Sequence, residues 1–363
     1  MERRKFILTA GGALVAAGAT AAINAPNVIA QQRYQWRMAT SWSPALDVLL
    51  GSAQRFAKIV DEMSAGRLKI QVFAAGELIP ALGVFDACSQ GTIEGYSSAA
   101  YYWAGKESGA QWFTAVPFGM SPQGQASWYL HGDGLKLWEE AYKPFNLIPR
   151  PQGSTGVQMG GWFRKKINTI ADFKGLKMRI PGLGGKVIAK AGGTVVLTPG
   201  GEIYTSLERG VIDAAEFVGP HDDMKLGLHQ TARYYYYPAW HEPAATAEFG
   251  FNLKAYESLP AELQRVLDHA AQAIQTIMLA EYDWKNSLAL QKLQTEFKAK
   301  VEVLPFPAAV MKDLKKLADD VNREESEKTP MARRVYASYT KYQALTHDYG
   351  QISEGAYYGL ISA

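Results

Sequence analysis

The stretch Gly153–Arg179, GSTGVQMGGWFRKKINTIADFKGLKMR, ends in the segment from which the fold can be read. From Gly175 to Pro181 the apolar residues Leu176, Met178 and Ile180 alternate with Lys177 and Arg179. Period-two alternation predicts a half-buried strand. Pro181 and Gly182 stop it, which puts Arg179 near a strand end with its guanidinium free to face a cleft. A rigidly placed, permanently charged planar fork is suited to hold a carboxylate by two hydrogen bonds.

Outward from this strand the same grammar repeats. Upstream, Tyr34–Ala39, Leu68–Phe73 and Thr92–Ser98 read as strands, with helix-like Asp47–Ser64 and Ile79–Gly91 between them. Downstream come the strands Val157–Arg164, Thr194–Leu197 and Ala214–Val218, with helix-like Gly184–Lys190 and Ile203–Arg209. Alternating strands and helices predict an α/β class with sheets flanked by helices. Ala261–Lys300 and Ala308–Thr329 read as long amphipathic helices, and the tyrosine-rich tail His347–Leu360 as another. The run Tyr234–Tyr237 before Pro238-Ala-Trp240 reads as a strand entering a crossover. Two such blocks followed by long helices predict two similar lobes. One comprises residues 31–155 plus about 245–284, the other 156–244 plus about 285–345, with 346–363 as a C-terminal helix.

Residues 1–30 read as an export signal. Paired Arg3 and Arg4 precede the apolar, small-residue run Ile7–Ala22, and Val28-Ile29-Ala30 resembles a cleavage site. The adjacent arginines indicate the twin-arginine route to the periplasm. Gly11, Gly12, Gly18 and Asn24 break the run, arguing against a membrane span. Net charge is +3, with 20% charged residues. Losing Glu2, Arg3, Arg4 and Lys5 with the signal brings the chain close to neutral, so nucleic acid is not an expected partner. The single cysteine, Cys88, has no partner for an internal disulfide and reads as a core residue.

Catalytic signatures are absent: no G-x-S-x-G, H-E-x-x-H, phosphate loop or C-x-x-C. None of the six histidines, at 131, 221, 229, 241, 269 and 347, pairs with another at helical spacing; they read as surface or packing residues. One oxygen-rich set stands out: Gln158, Glu216 with Phe217, and Glu242, each beside a strand-like run. Two carboxylates, an amide and nearby carbonyls suit a hard cation such as Na⁺ or Ca²⁺. A cation there would also relieve repulsion between the glutamates and an anionic ligand. Glutamates after strands also commonly point into water, so the residues alone leave both readings open.

The segments GSTGVQMGGWFR, INTIADFKGLKMR, GGEIYTSLERGVIDAAEFVGPHDD and YYYYPAWHEP resemble the periplasmic solute-binding proteins of TRAP transporters. The resemblance is to the branch that binds 2-oxo monocarboxylates such as pyruvate with a bound cation. It runs from Trp36 to the C-terminal helix and is densest between Gly153 and Pro243. It implies a two-lobed periplasmic binding protein fold that closes on its ligand and delivers it to TRAP membrane permease subunits. By the same resemblance Arg179 pairs with the ligand carboxylate, while Gln158, Glu216, Glu242 and the carbonyl of Phe217 hold Na⁺ or Ca²⁺. Phe217 stands where the branch often has tryptophan, and Ser154 where the related motif reads GNTG. Tyr101 and Tyr102 match a tyrosine-rich wall. Asp47 matches a position near the cleft, or caps the following helix. Relatives in the branch imply a homodimer with exchanged C-terminal helices. The alternatives are a 2-hydroxy acid such as lactate, or a C4-dicarboxylate, for which Lys186 is the nearest second anchor. A periplasmic enzyme using Glu216 or Glu242 as base, and a ligand sensor, are the other classes considered.

Overall fold

The alternating runs YQWRMAT at Tyr34–Thr40 (β1) and LKIQVF at Leu68–Phe73 (β2) pair in parallel, Tyr34 opposite Leu68. The helix Leu49–Met63 joins them and buries Leu49, Ala53, Phe56 and Val60, the stripe its sequence spacing predicts. This computed structural model describes residues 32–361; the export-signal reading of residues 1–30 lies outside them. The remaining strands are Gly95–Ser98 (β3), Leu147–Ser154 (β4), Gly161–Phe163 (β5), Lys177–Arg179 (β6), Thr194–Val196 (β7), Ala214–Ala215 (β8), Tyr234–Tyr237 (β9), Thr246–Asn252 (β10) and Glu302–Pro305 (β11). They form two sheets, ordered β2-β1-β3-β10-β4 and β11-β9-β5-β8-β6-β7. The α/β class read from the sequence is therefore the one observed.

β4 and β10 are strands that the sequence reading passes over. Pro149 and Pro151 argue against a strand, yet β4 is the last strand of its sheet, where an outward position needs no ladder donor. β10 is disguised by Glu248 and Gly250 in a segment that is buried throughout. Its Phe249 stacks on Phe56 of the first helix with ring centroids 4.2 Å apart. In the other sheet Tyr235 of β9 stacks on Trp162 of β5 at 3.9 Å, and the aromatic run Tyr234–Tyr237 is the strand its sequence predicts. Cys88 is fully buried, as expected.

The helix Ala261–Thr295 has 35 residues, about 52 Å at the usual rise per residue. It packs on β4 and Leu49–Met63 of the first sheet's side and on Pro220–Lys225 of the second's. Chain continuity thus ties both sheets to one rod. Among the described residues no helix is long and apolar enough to cross a membrane. The helix Pro330–Gly350 returns to pack on Pro122–His131 and Gly134–Tyr142, then continues to Ile361 with Tyr349, Ile352 and Leu360 each at least 71% exposed.

One buried carboxylate shapes the first sheet's core. Glu248 Oε1 accepts hydrogen bonds from Tyr96 Oη (2.9 Å) and Trp103 Nε1 (2.7 Å), and its Oε2 accepts from Tyr142 Oη (2.9 Å). Burial pushes its pKa up to about 7, the three donors opposing the rise. A pKa raised on folding contributes stability below the unfolded value, and that contribution is lost as pH climbs through the folded one. Between about pH 5 and about pH 8 the unfolding free energy of wild type should therefore fall relative to Glu248→Gln by about 2–3 kcal/mol. Denaturant curves that stay parallel across that range would exclude this titration.

Candidate functional site

In both sheets the chain delivers side chains from the C-terminal ends of parallel strands, where α/β sheets form crevices. β6 and β8 run parallel; Arg179 is the last residue of β6, and Glu216-Phe217 directly follow β8. On the facing side Trp42 follows β1, and Tyr101 and Tyr102 sit on the single-turn helix Ala100–Trp103 after β3. Between the sheets lies a cavity of about 20 Å³ whose lining includes Trp42, Leu49, Tyr101, Tyr102, Gln158 and Phe217. Three small residues, Ala99, Ala245 and Ala247, complete its apolar wall.

Arg179 is 0% exposed, so its guanidinium is not open to a water-filled cleft as its strand position suggested. A charge taken out of water must find partners, and four of the five N–H groups have them. Nη1 donates to Glu216 Oε1 (2.5 Å) and to the Glu216 carbonyl (3.0 Å). Nε donates to the Thr198 carbonyl (3.3 Å), and Nη2 to Tyr102 Oη (3.3 Å). The Phe217 ring lies beneath the guanidinium, its centroid 5.4 Å from Cζ. Burial disfavours the charged form, but the surrounding Tyr102, Glu216, Tyr101 and Glu242 outweigh it and raise the pKa further. One Nη2 N–H has no acceptor among the described residues.

Glu216, His241 and Glu242 converge, each with a possible ligand atom within 4.8 Å of the others', and all three are buried. His241 Nε2 is 3.1 Å from Glu216 Oε2. The sequence reading left His241 as a packing residue; its position next to Glu242 was the one available signal. Gln158 joins through the backbone, its N–H donating to the Glu242 carbonyl (3.2 Å), and its Nε2 donates to Thr155 Oγ1 (3.0 Å). Burial drives the Glu242 pKa well up; Glu216 adds to the rise, and Arg179 and Gln158 oppose it.

Two buried oxygens here lack a hydrogen-bond partner among the described residues, Gln158 Oε1 and Glu242 Oε2. An unpaired buried oxygen costs about 1–3 kcal/mol, more when charged. Two such atoms beside a second carboxylate form the donor set of a hard cation. Gln158, Glu216 and Glu242 therefore fit such an ion, which would supply positive charge between the carboxylates.

Three residues named from the sequence lie outside this cluster. Ser154 borders a groove beside Ala261–Thr295, and its Oγ accepts from the Gly156 N–H (3.1 Å); Thr155 lines the cavity in its place. Lys186 is paired with Glu325 at 2.5 Å, joining the helices Gly182–Lys190 and Ala308–Ser326. Asp47 does not cap the following helix: Val48 occupies that position, and no side chain bonds there.

The fold and most of the sequence match known proteins. Residues 38–329 match the family described as bacterial extracellular solute-binding protein, family 7. A monocarboxylate 2-oxoacid-binding periplasmic protein of Nostoc sp. is 40% identical over the whole of both chains. A TRAP periplasmic solute-binding protein of Pseudoalteromonas atlantica, solved with sodium and pyruvate, superimposes with a TM-score of 0.88 at 40% identity, covering 90% of this chain and 99% of that one. Another from Colwellia psychrerythraea, solved with calcium and pyruvate, gives 0.87 at 38%, with the same coverages. A third from Bordetella bronchiseptica, a dimer with calcium and picolinate at one site, gives 0.88 at 38%, covering 91% and 97%. A family match over residues 38–329 and a relative 40% identical along its whole length lead to one family: the chain belongs to the DctP solute-binding proteins, family 7 of the bacterial extracellular binding proteins.

Proposed function

We propose that this protein captures a small 2-oxo monocarboxylate, pyruvate or a near homologue, together with Na⁺ or Ca²⁺, and hands it to a TRAP permease. The observation that carries the reading is the pairing of buried Arg179 with two unpartnered oxygens, Gln158 Oε1 and Glu242 Oε2. An arginine and an oxygen nest need between them an anion that accepts from the fork and offers oxygen to a cation. A 2-oxo acid does both with adjacent groups. Relatives solved with pyruvate and sodium or calcium support the assignment.

Arg179 takes the carboxylate with its open Nη2 N–H, and the Tyr101 and Tyr102 hydroxyls complete the anion's shell. Burial raises both phenol pKa values, so both remain donors at neutral pH. Gln158, Glu216, Glu242 and the Phe217 carbonyl hold the cation. Phe217 also walls the cavity and underlies Arg179, roles that need an aromatic face and not an indole N–H. The commitment of Lys186 to Glu325 takes away the second cationic anchor that a C4-dicarboxylate would need. The polar groups around Arg179 hold charge and position ligand, so we read a binder and not an enzyme.

Ligand entry requires the two sheets' sides to part. The lobes are residues 31–155 with about 245–284, and 156–244 with about 285–345, hinged where the chain crosses between the sheets. Gly182 marks how closely they meet: its φ is +59°, and a Cβ there would lie 2.9 Å from the Tyr101 ring. Residues 1–30 direct export to the periplasm by the twin-arginine route. The exposed tail around Tyr349, Ile352 and Leu360 covers a second copy's surface in a homodimer.

Calorimetry with pyruvate should show Arg179→Lys binding on the order of 100-fold more weakly, because charge is kept but the fork is lost. Affinity within twofold of wild type would remove the anchor. Pyruvate should raise the melting temperature only with Na⁺ or Ca²⁺ present, and chelator in sodium-free buffer should abolish the shift. A shift that persists would remove the cation from the binding reaction. Truncation after Thr346 should halve the mass measured by light scattering, and an unchanged mass would exclude the tail as the dimer contact.

A further inference from the structure

Asp47, His221 and Lys285 form a second charged cluster, outside the ligand cavity and with no role in the function proposed above. Asp47 lies in the turn between β1 and the helix Leu49–Met63, on the first sheet's side. His221 lies on Pro220–Lys225, which follows β8 of the second sheet, and Lys285 on the long helix Ala261–Thr295. Asp47 Oδ1 is 2.7 Å from His221 Nε2, and Oδ2 accepts from Lys285 Nζ at 2.9 Å. Resting on the closure reading above, we infer that these three residues are a clasp that holds the closed state, so that Asp47 sets ligand affinity without touching ligand.

Asp47 makes no capping bond to the helix that follows it. Its place one residue before a helix N-cap would suit a carboxylate bonded to the first-turn N–H groups, yet no side chain caps that helix. Both oxygens are instead turned outward to groups from other elements. Burial alone would raise the Asp47 pKa, but Lys285 and His221 hold it down at about 2, so the carboxylate is ionised at neutral pH. The ligand types would also suit a metal, since Asp47, His221 and Asp222 converge. Lys285 already supplies the positive charge there.

The receiving side is rigid. The His221 backbone N–H donates to Asn286 Oδ1 (3.0 Å), and Tyr282 Oη donates to Asp222 Oδ2 (2.7 Å), so Pro220–Lys225 is bolted to the long helix at two points. Lys285 Nζ is steadied by Glu281 at 2.6 Å. Asp47 therefore meets a preset pair of donors, which lowers the ordering cost of the contact. The clasp also sits at the chamber's rim. Trp42 and Leu49 flank Asp47 in sequence, and Phe217 and Val218 precede His221; all four line the cavity. Joining the two turns brings those walls together.

Parting the sheets separates Asp47 from His221 without altering a ligand contact. A contact made only in the closed state biases the equilibrium toward closure, and apparent affinity rises with the fraction of protein competent to hold ligand. Half-exposed ion pairs are individually weak, which bounds the effect to a modest factor.

The test is pyruvate binding and release by stopped flow, at saturating cation, for Asp47→Asn, His221→Gln and the double variant. The clasp predicts a dissociation rate three- to tenfold faster for each single variant, with an unchanged melting temperature in the absence of ligand. The double variant should release ligand no faster than the worse single, because either change breaks the same contact. Wild-type release from Asp47→Asn overturns the inference, as do effects that multiply in the double variant. A fall in ligand-free melting temperature large enough to account for the faster release also overturns it. A second measurement does not depend on the ligand assignment. Spin labels at Lys58→Cys and Lys165→Cys, one on each sheet's side, report the closed population of the ligand-free protein by pulsed dipolar spectroscopy. That population should fall in Asp47→Asn, and identical distance distributions would overturn the clasp. A wild type that binds no 2-oxo acid would defeat only the proposed function.

Discussion

A guanidinium with no exposure to water is the constraint around which the binding region is organised. Desolvating Arg179 costs several kcal/mol, and the cost is met only by partners placed in advance. They come from elements far apart in sequence: the carboxylate and carbonyl of Glu216, the Thr198 carbonyl and the Tyr102 hydroxyl. To deliver them, β6 and β8 must run side by side and parallel, and the turn after β3 must reach across from the other sheet. Removing Glu216 would therefore leave a buried charge unpaired, and the same residue belongs to the oxygen nest. In the binding mode proposed above, anchor and cation nest share that side chain, so a change made for one reaches the other.

That sharing leaves the nest polarised. Arg179 takes Oε1 of Glu216 and His241 faces Oε2, while Glu242 and Gln158 each keep an oxygen with no partner. That uneven distribution of hydrogen bonds is what the proposed cation site would need. Electrostatic preorganisation of this kind places the cost of assembling the charges in folding, so that binding does not bear it.

Much of this was legible before any coordinates. Alternation in Leu176–Ile180 placed β6, whereas Glu216 and Glu242, each after a strand-like run, could as well have pointed into water, and only the resemblance set them apart. The missed features have physical reasons. Pro149 and Pro151 hide β4 because an edge strand tolerates residues that an inner strand excludes. Ser154 and Thr155 are neighbours in sequence, but only Thr155 lines the cavity, and a motif cannot tell which of two adjacent side chains turns inward. His221 and His241 looked ordinary because a histidine's role is defined by what faces it. Asp47 and Glu216, which face them, come from distant segments.

The sequence by itself determined the α/β class, the long helices and the core position of Cys88. Those follow from local periodicity and side-chain chemistry, which the chain carries wherever it folds. Tertiary structure alone decided that Arg179 is sealed from water, that Glu216 serves it while facing His241, and that Asp47 reaches His221 and Lys285. Each of those depends on through-space distances between residues as much as 238 positions apart in the chain. No local pattern encodes them, because they exist only once two sheets have been brought face to face along one helix.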